Sequence, residues 1–206
     1  NSGAAGIGGG SQEKGGTIVI RGGIINATAG GQEGNCGGAG IGGGYAQGFT
    51  SVIISGGTVT ATPAHCGAGI GGGRNGSSGY IEISGGTVTA KGNSYSAGIG
   101  IGYTAKSSGT IVISGGTVTV PSSSQCSVGI GGGASNIQIT GGNVSATGVS
   151  YGIGGSSGSI VISGGRVTAA SVMPWVASVN APTDCPIMCT IQSVVFPLAM
   201  RVLSAQ

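Results

Sequence analysis

Three short motifs recur in the same order about six times along the chain, and this repetition constrains the fold more than any other feature. A Gly-Ile-Gly motif recurs at spacings of 34, 29, 29, 31 and 23 residues, centred on Ile7, Ile41, Ile70, Ile99, Ile130 and Ile153. An Ile-x-Ile-Ser-Gly-Gly motif, with substitutions, ends at the glycine pairs 22–23, 56–57, 85–86, 115–116, 141–142 and 164–165. A Thr-Val-Thr-Ala motif follows at once, with its best copies at 58–61 and 87–90. Each repeat is therefore interpreted as three short strands separated by glycine corners.

Within these predicted strands, apolar and polar residues alternate with a period of two, which places one set of side chains inward. Three β-branched rows result: Ile20, Ile54, Ile83, Ile113, Ile139 and Ile162; Ile18, Val52, Ile81, Ile111, Ile137 and Ile160; and Ile25, Val59, Val88, Val118, Val144 and Val167. Helices are disfavoured by the glycine content, since each interior glycine costs about 1 kcal/mol. Six coils of 23–34 residues with three unequal strands predict an all-β fold, a right-handed parallel β-helix (β-solenoid).

Composition indicates a folded chain rather than a disordered one. Of the 206 residues 50 are glycine, yet only 5% are charged, and the mean hydropathy is +0.37. Disorder requires low hydrophobicity and high net charge, which this chain lacks. We predict a solenoid over residues 1–170 and a non-repetitive C-terminal segment over 171–206, which caps the last coil or packs along an outer face.

The three motifs resemble Gly-rich β-solenoid repeats of microbial cell-surface proteins, some of which are described as carbohydrate-binding. They are more distantly similar to the pectate-lyase-like right-handed β-helix superfamily. The resemblance covers about residues 1–170 and implies a fold. It implies no catalytic residue, because the shared motifs are structural.

The acidic residues and the single histidine do not predict an enzyme. Polysaccharide lyases and glycosidases need clustered or paired carboxylates, whereas Glu82 is flanked in its row by Ile53 and Val112. His65 is adjacent in sequence to Cys66, an arrangement that does not readily turn an imidazole toward a thiol. We therefore expect no catalytic residue, no metal and no cofactor.

Charge and hydropathy also exclude two classes of partner. The net charge of +3 comes from scattered basic residues and not from a basic stripe, so nucleic acid is not an expected partner. No apolar run reaches the roughly 18 residues of a membrane-spanning helix. The chain begins at Asn1 rather than Met, so we expect either a removed leader or a longer parent sequence.

Cysteine usage predicts an oxidising, extracellular compartment. The disulfide candidates are Cys36, Cys66, Cys126, Cys185 and Cys189. Cys36 and Cys66 precede the Gly-Ile-Gly isoleucine by five and four residues in successive coils, so we predict that they pair. Cys126 is a candidate partner of Cys185 or Cys189. One thiol remains, either buried or bonded to another chain.

Three sequons provide candidate N-glycosylation sites if the source is eukaryotic: Asn26, Asn75 and Asn143. The alternation predicts that Asn26 and Asn143 point outward and that Asn75 lies in a corner loop.

Two outward rows are candidate surfaces for recognition. The third strand of the middle repeats presents a threonine ladder, formed by Thr58, Thr60, Thr87, Thr89, Thr117 and Thr119. Such a ladder resembles the faces of ice-binding solenoids, although threonine also simply suits a pleated surface. The second strand presents an apolar assembly row, formed by Val19, Ile53, Val112 and Val161. The tyrosines do not form an outward row, which weighs against a broad carbohydrate platform.

These features together predict a non-enzymatic, secreted structural protein at a cell surface or in an extracellular filament. The first coil begins at Gly6-Ile7-Gly8 without a cap, so either upstream sequence or a stacked subunit covers it. Self-association by head-to-tail stacking or tail packing is the leading hypothesis. A polysaccharide-binding or adhesion module, with glycans bound or covalently attached, is the alternative, and ice binding is the third hypothesis.

Overall fold

The computed structural model describes residues 3–31, 37–93, 95–105, 107–121, 128–169 and 177–178. Every regular element in these ranges is a β-strand, and the strands form three parallel sheets. Each full coil contributes one strand to each sheet in the same order, and each strand pairs with its counterparts in neighbouring coils. This is the architecture of a parallel β-helix with six coils, consistent with the right-handed β-helix that the sequence predicts.

The three predicted motifs correspond to the three sheets. The first sheet, formed by the Gly-Ile-Gly motifs, contains β1 (Ile7–Gly8), β4 (Ile41–Gly42), β7 (Ile70–Gly71), β10 (Ala97–Gly100), β13 (Val128–Gly131) and β16 (Tyr151–Gly154). The second sheet contains β2 (Gly15–Ile20), β5 (Phe49–Ile54), β8 (Tyr80–Ile83), β11 (Ser107–Ile113), β14 (Ala134–Ile139), β17 (Ser157–Ile162) and β19 (Ala177–Ser178). The third sheet contains β3 (Ile24–Thr28), β6 (Thr58–Thr62), β9 (Thr87–Ala90), β12 (Thr117–Val120), β15 (Asn143–Ala146) and β18 (Arg166–Ala169).

The register between coils is the one that the repeat predicts. In the second sheet Ile54 pairs with Ile83, and Ile83 with Ile113. In the third sheet Val88 pairs with Val118. All three predicted inward rows, and the row of Gly-Ile-Gly isoleucines, are continuous ladders from the first coil to the sixth.

These ladders form one aliphatic core that runs along the solenoid axis. In the middle coils the inward isoleucines are completely buried, with Ile41, Ile70 and Ile99 at 0% exposure. Burial of each such side chain stabilises the fold by roughly 1.5–3 kcal/mol relative to leaving it exposed. The core therefore has the same composition at each level, and the middle coils are nearly equivalent.

The first coil differs from the others within the described part of the chain, because three of its inward side chains are only partly buried, although Ile20 is 7% exposed. Ile7, Ile18 and Ile25 are partly buried, whereas their partners Ile41 and Val52 in the second coil are at 0% exposure. Strands β1, β2 and β3 are accordingly the edge strands of their sheets.

Residues beyond the sixth coil contribute to the opposite end of the solenoid. Ala177–Ser178 forms β19, which pairs with Ile160 and Val161 of β17 and so extends the second sheet by one strand. The other residues of the predicted 171–206 segment lie outside the described ranges. The predicted boundary and the predicted cap both remain predictions.

Candidate functional site

The threonine ladder lies on the outer face of the third sheet. Thr58 pairs with Thr87 and Thr87 with Thr117, while Thr60, Thr89 and Thr119 form a parallel row two residues along. The first row is exposed and the second is half-buried. Neighbouring coils are separated by about 4.8 Å in a ladder of this kind. The ladder therefore presents hydroxyl and methyl groups at a regular spacing. Ice binding by this ladder stays a prediction.

The apolar assembly row lies on the outer face of the second sheet. Val19 is 43% exposed, whereas Ile53, Val112 and Val161 are half-buried. Glu82 interrupts the row between Ile53 and Val112, as the register predicts.

The Glu82 carboxylate accepts a hydrogen bond of 3.0 Å from the Tyr80 hydroxyl two residues earlier on the same strand. Burial raises the pKa of Tyr80, and the hydrogen bond to Glu82 and its negative charge act in the same direction. Glu82 thus has an aromatic hydroxyl as its partner, which the row pattern did not predict.

The most unusual backbone lies in the loops that flank the first sheet. Among the described residues, six other than glycine have a positive φ: Gln12, Ala46, Cys66, Asn75, Tyr95 and Thr104. This region of φ is unfavourable for residues with a Cβ, and a bulky or β-branched residue there is an outlier. Such outliers gather where the surrounding structure enforces them, often at binding or catalytic sites.

Four of these loops meet on one side of coils three and four. The Tyr103 amide donates to the Cys66 carbonyl at 2.8 Å, and the Asn75 amide donates to the Tyr103 carbonyl at 2.9 Å. Ser96, which follows Tyr95, donates through Oγ to the Gly67 carbonyl at 2.6 Å. Cys66 and Tyr95 are therefore neighbours in successive coils.

These contacts assemble an exposed group that we name the tyrosine cluster, formed by Asn75, Tyr95, Tyr103 and Thr104. The Tyr95 and Tyr103 rings have centroids 5.3 Å apart and are tilted by 41°, and they are 65% and 37% exposed. The Thr104 hydroxyl donates to Asn75 Oδ1 and lies 2.6 Å from the Tyr103 carbonyl oxygen. The sequence predicted no outward row of tyrosines, and there is none, but two tyrosines from different loops nevertheless pair at this corner.

A thiol lies beside the tyrosine cluster. Cys66 is buried, and its Sγ lies 3.1 Å from Nδ1 of His65. The expectation that adjacent residues would keep the imidazole away from the thiol is wrong, because Cys66 has a φ of 64° that redirects its side chain. Burial raises the pKa of the Cys66 thiol, and the positive charge of Arg74 opposes that effect. Burial and the raised pKa both reduce the fraction of thiolate, which is the nucleophilic form of cysteine.

Cys66 is a free thiol in this structure. The predicted bridge between Cys36 and Cys66 stays a prediction, because Cys36 lies outside the described residues. Cys36, Cys126, Cys185 and Cys189 lie outside the described residues.

All three sequon asparagines are exposed. Asn26 and Asn143 lie on the outer face of the third sheet at opposite ends of the threonine ladder, and Asn75 belongs to the tyrosine cluster. Whether they carry glycans stays a prediction.

Within the ranges that the structure describes, no group of three or more His, Cys, Asp or Glu residues could hold a metal ion. The described part of the chain contains no helix that is long and apolar enough to cross a membrane.

Comparison with known families identifies the repeat. A family model described as a beta helix repeat matches residues 18–45, 52–74, 81–102, 111–134 and 137–157. Each matched segment begins in a strand of the second sheet and extends past the first-sheet strand of the next coil. No curated protein and no solved structure matches the chain.

Proposed function

The chain belongs to the beta helix repeat family, and from that premise we propose that it is a non-enzymatic extracellular structural protein. In this proposal it is a subunit of a surface layer or filament that assembles by stacking of coils or packing of its tail. The β-helix fold is shared by pectate lyases and by proteins without enzymatic activity, so the proposal must depend on surfaces and not on the fold.

The observation that carries the proposal is the uncovered side of the first coil. Ile7, Ile18 and Ile25 are partly buried there, although their counterparts in the next coil are completely buried. Beside them Ile24 is 80% exposed and Val19 43% exposed. Edge strands with exposed apolar side chains favour pairing with another chain.

A second copy suits this end because its own coils have the same three-sheet cross-section and the same inward isoleucines. Within the described ranges, β16 and β18 are the last strands of the first and third sheets at the opposite end. Stacking of β16 on β1 and of β18 on β3 would continue both ladders in a head-to-tail arrangement, in which β2 of the next copy replaces β19 as the partner of β17.

Electron microscopy and sedimentation of the purified 206-residue chain test this proposal. We expect assemblies with an axial repeat near the column height, about 29 Å for six coils. The double variant Val19→Lys/Ile24→Lys places two charges at the exposed end and should remain monomeric. The matched control, Thr117→Lys, places a charge on an exposed position of a middle coil and should assemble normally.

Two results would contradict the proposal. A chain that remains monomeric at high concentration would favour a preceding segment of a longer protein as the cover for the first coil. Equal assembly of the double variant and the wild type would place the contact elsewhere, with Ile53, Val112 and Val161 of the apolar assembly row as the next positions to test.

A polysaccharide-binding or adhesion module is the second candidate function. The observation that favours it is the exposed pairing of Tyr95 with Tyr103, since paired aromatic rings beside polar side chains are common in ligand sites. A binding module should be monomeric and should bind glycans without assembling.

A further inference from the structure

We propose that the tyrosine cluster binds a single polysaccharide chain through one or two neutral hexopyranose units. This inference rests on the second candidate function and is independent of assembly. It assigns the contact to Asn75, Tyr95, Tyr103 and Thr104, four residues that come from three loops in two coils.

Backbone strain is the first argument for a binding site. Asn75, Tyr95 and Thr104 have φ values of 62°, 60° and 63°, in a region that glycine adopts without strain. The chain supplies glycine at many other positive-φ positions. Tyr95 and Thr104 occupy such positions here, although one is aromatic and the other β-branched. Their side chains therefore have a binding role that offsets the backbone strain.

The geometry of the rings is the second argument. Tyr95 is 65% exposed even though its ring contacts Tyr103 at a centroid distance of 5.3 Å. An exposed tyrosine ring presents an apolar surface with a polar hydroxyl at its edge. The C–H face of a pyranose ring is complementary to that surface. Because the two rings are tilted by 41°, they suit a single bent chain better than a flat crystalline face.

The polar groups of the cluster indicate a neutral sugar. Asn75 Oδ1 accepts a hydrogen bond from Thr104, which leaves the two amide hydrogens of Asn75 as donors for a sugar hydroxyl. The four side chains of the cluster are uncharged. The nearby Arg74 is half-buried, and its charge acts on the buried Cys66 thiol.

NMR titration of the full chain with hexamers of β-1,4-linked glucose, mannose and N-acetylglucosamine tests the proposal. We expect shifts confined to residues near the tyrosine cluster and dissociation constants of about 1 mM or lower for at least one hexamer. An oligogalacturonide forms the acidic arm of the experiment. Tighter binding of that acidic chain would overturn the assignment of a neutral sugar.

The decisive variant is Tyr95→Gly, because glycine suits the positive φ while the ring is lost. It should fold at least as stably as the wild type and bind about tenfold more weakly, since one aromatic contact contributes on that order. Tyr95→Phe keeps the ring and should bind nearly as well as the wild type. If Tyr95 had only a structural role, Tyr95→Gly would lower thermal stability and leave affinity unchanged.

Tyr80→Ala is the matched control, since Tyr80 is 38% exposed, close to the value for Tyr103, but lies on the second sheet. It should bind like the wild type. Absence of any shift up to about 10 mM of every sugar would overturn the site, and equal affinity of Tyr95→Gly would do the same. Neither result would affect the assembly proposal, which depends on sedimentation of unliganded protein.

Discussion

Two corners of the same solenoid turn the chain through positive φ, yet they use different residues to do so. Between the second and third sheets the turning residue is always glycine, with φ between 78° and 89° at Gly23, Gly57, Gly86, Gly116, Gly142 and Gly165. In the loop after the first sheet the stacked residues are Gln12, Ala46, Asn75 and Thr104, with φ between 60° and 63°. The first corner is uniform in all six coils, and the second has a different side chain in each of the first four coils.

The comparison separates two uses of the same backbone conformation. Glycine turns the chain without strain and without displaying a side chain. A residue with a Cβ is strained by roughly 1–2 kcal/mol in that region, but it presents a side chain at a fixed position beside its neighbours. The glycine corner therefore serves the fold alone, while the other corner can carry recognition groups such as those of the tyrosine cluster.

The largest effect should follow from a side chain added to the glycine corner. A Cβ at Gly86 would lie 2.7 Å from the Gly57 carbonyl oxygen, and φ there is +83°. Gly86→Ala therefore combines backbone strain with a collision and should lower the free energy of unfolding by about 2–4 kcal/mol. Chemical denaturation of the purified variant measures this.

Two substitutions in the first coil separate the strain from the collision. Gly23 has a φ of +86°, but no atom lies within 4 Å of the point that its Cβ would occupy, and Gly22 has neither constraint. Gly23→Ala should lose about 1–2 kcal/mol from strain alone, and Gly22→Ala should change stability by less than about 0.5 kcal/mol. Equal losses of stability for the alanine variants of Gly22, Gly23 and Gly86 would show that the positive φ does not determine the loss.

The reverse change should stabilise the other corner. Ala46 has a φ of 60° and lies in the loop after the first sheet. Ala46→Gly removes the strain of about 1–2 kcal/mol but increases the entropy of the unfolded chain, so the net gain should be about 0.5–1 kcal/mol. The control is Ala61→Gly, the same change at a fully buried strand position, which should destabilise the protein. A loss of stability in both variants would contradict the interpretation of this corner as strained.

The smallest effect concerns Cys66, which also has a positive φ and lies before the first sheet. Folding raises its pKa above the ordinary value of 9.0, chiefly through burial. The native state then binds the thiol proton more tightly than the unfolded state, so stability is fully present below pH 9 and declines as the pH rises toward the folded pKa.

Cys66→Ser removes this titration and should show a shallower loss of stability above about pH 9 than the wild type. Urea denaturation under reducing conditions measures both proteins. Identical pH profiles would indicate that the Cys66 thiol is not desolvated in the native state.

The sequence was sufficient to predict the three sheets and their register. Period-two alternation and the glycine pairs recur in every coil, so Ile54, Ile83 and Ile113 could be aligned from the amino-acid pattern alone. Those residues all satisfy the same local requirement, which is a β-branched side chain in a stack. The prediction succeeded because repetition supplies six copies of one pattern.

The tyrosine cluster could not be predicted in the same way. It depends on Tyr95 and Tyr103 from two different loops, whose relative positions follow from positive φ values that no residue pattern specified. The contact between Cys66 and His65 has the same origin, since period-two reasoning does not apply to a left-handed residue. A signal was nevertheless present four residues before the Gly-Ile-Gly isoleucine, where the fourth coil has Tyr95 and the preceding two coils have Cys66 and Gly37.

The parallel pairing between successive coils also has a consequence for how such a chain can change in length. Ile70 and Ile99 occupy the same point in adjacent coils, so a deletion of residues 70–98 would join Gly69 directly to the next equivalent isoleucine. Since each coil contacts mainly its two neighbours, gain or loss of a whole coil by tandem duplication or deletion leaves every remaining interface of the same kind. The height of the molecule is then adjustable in steps of about 4.8 Å, and a lineage can lengthen or shorten it without redesigning its core.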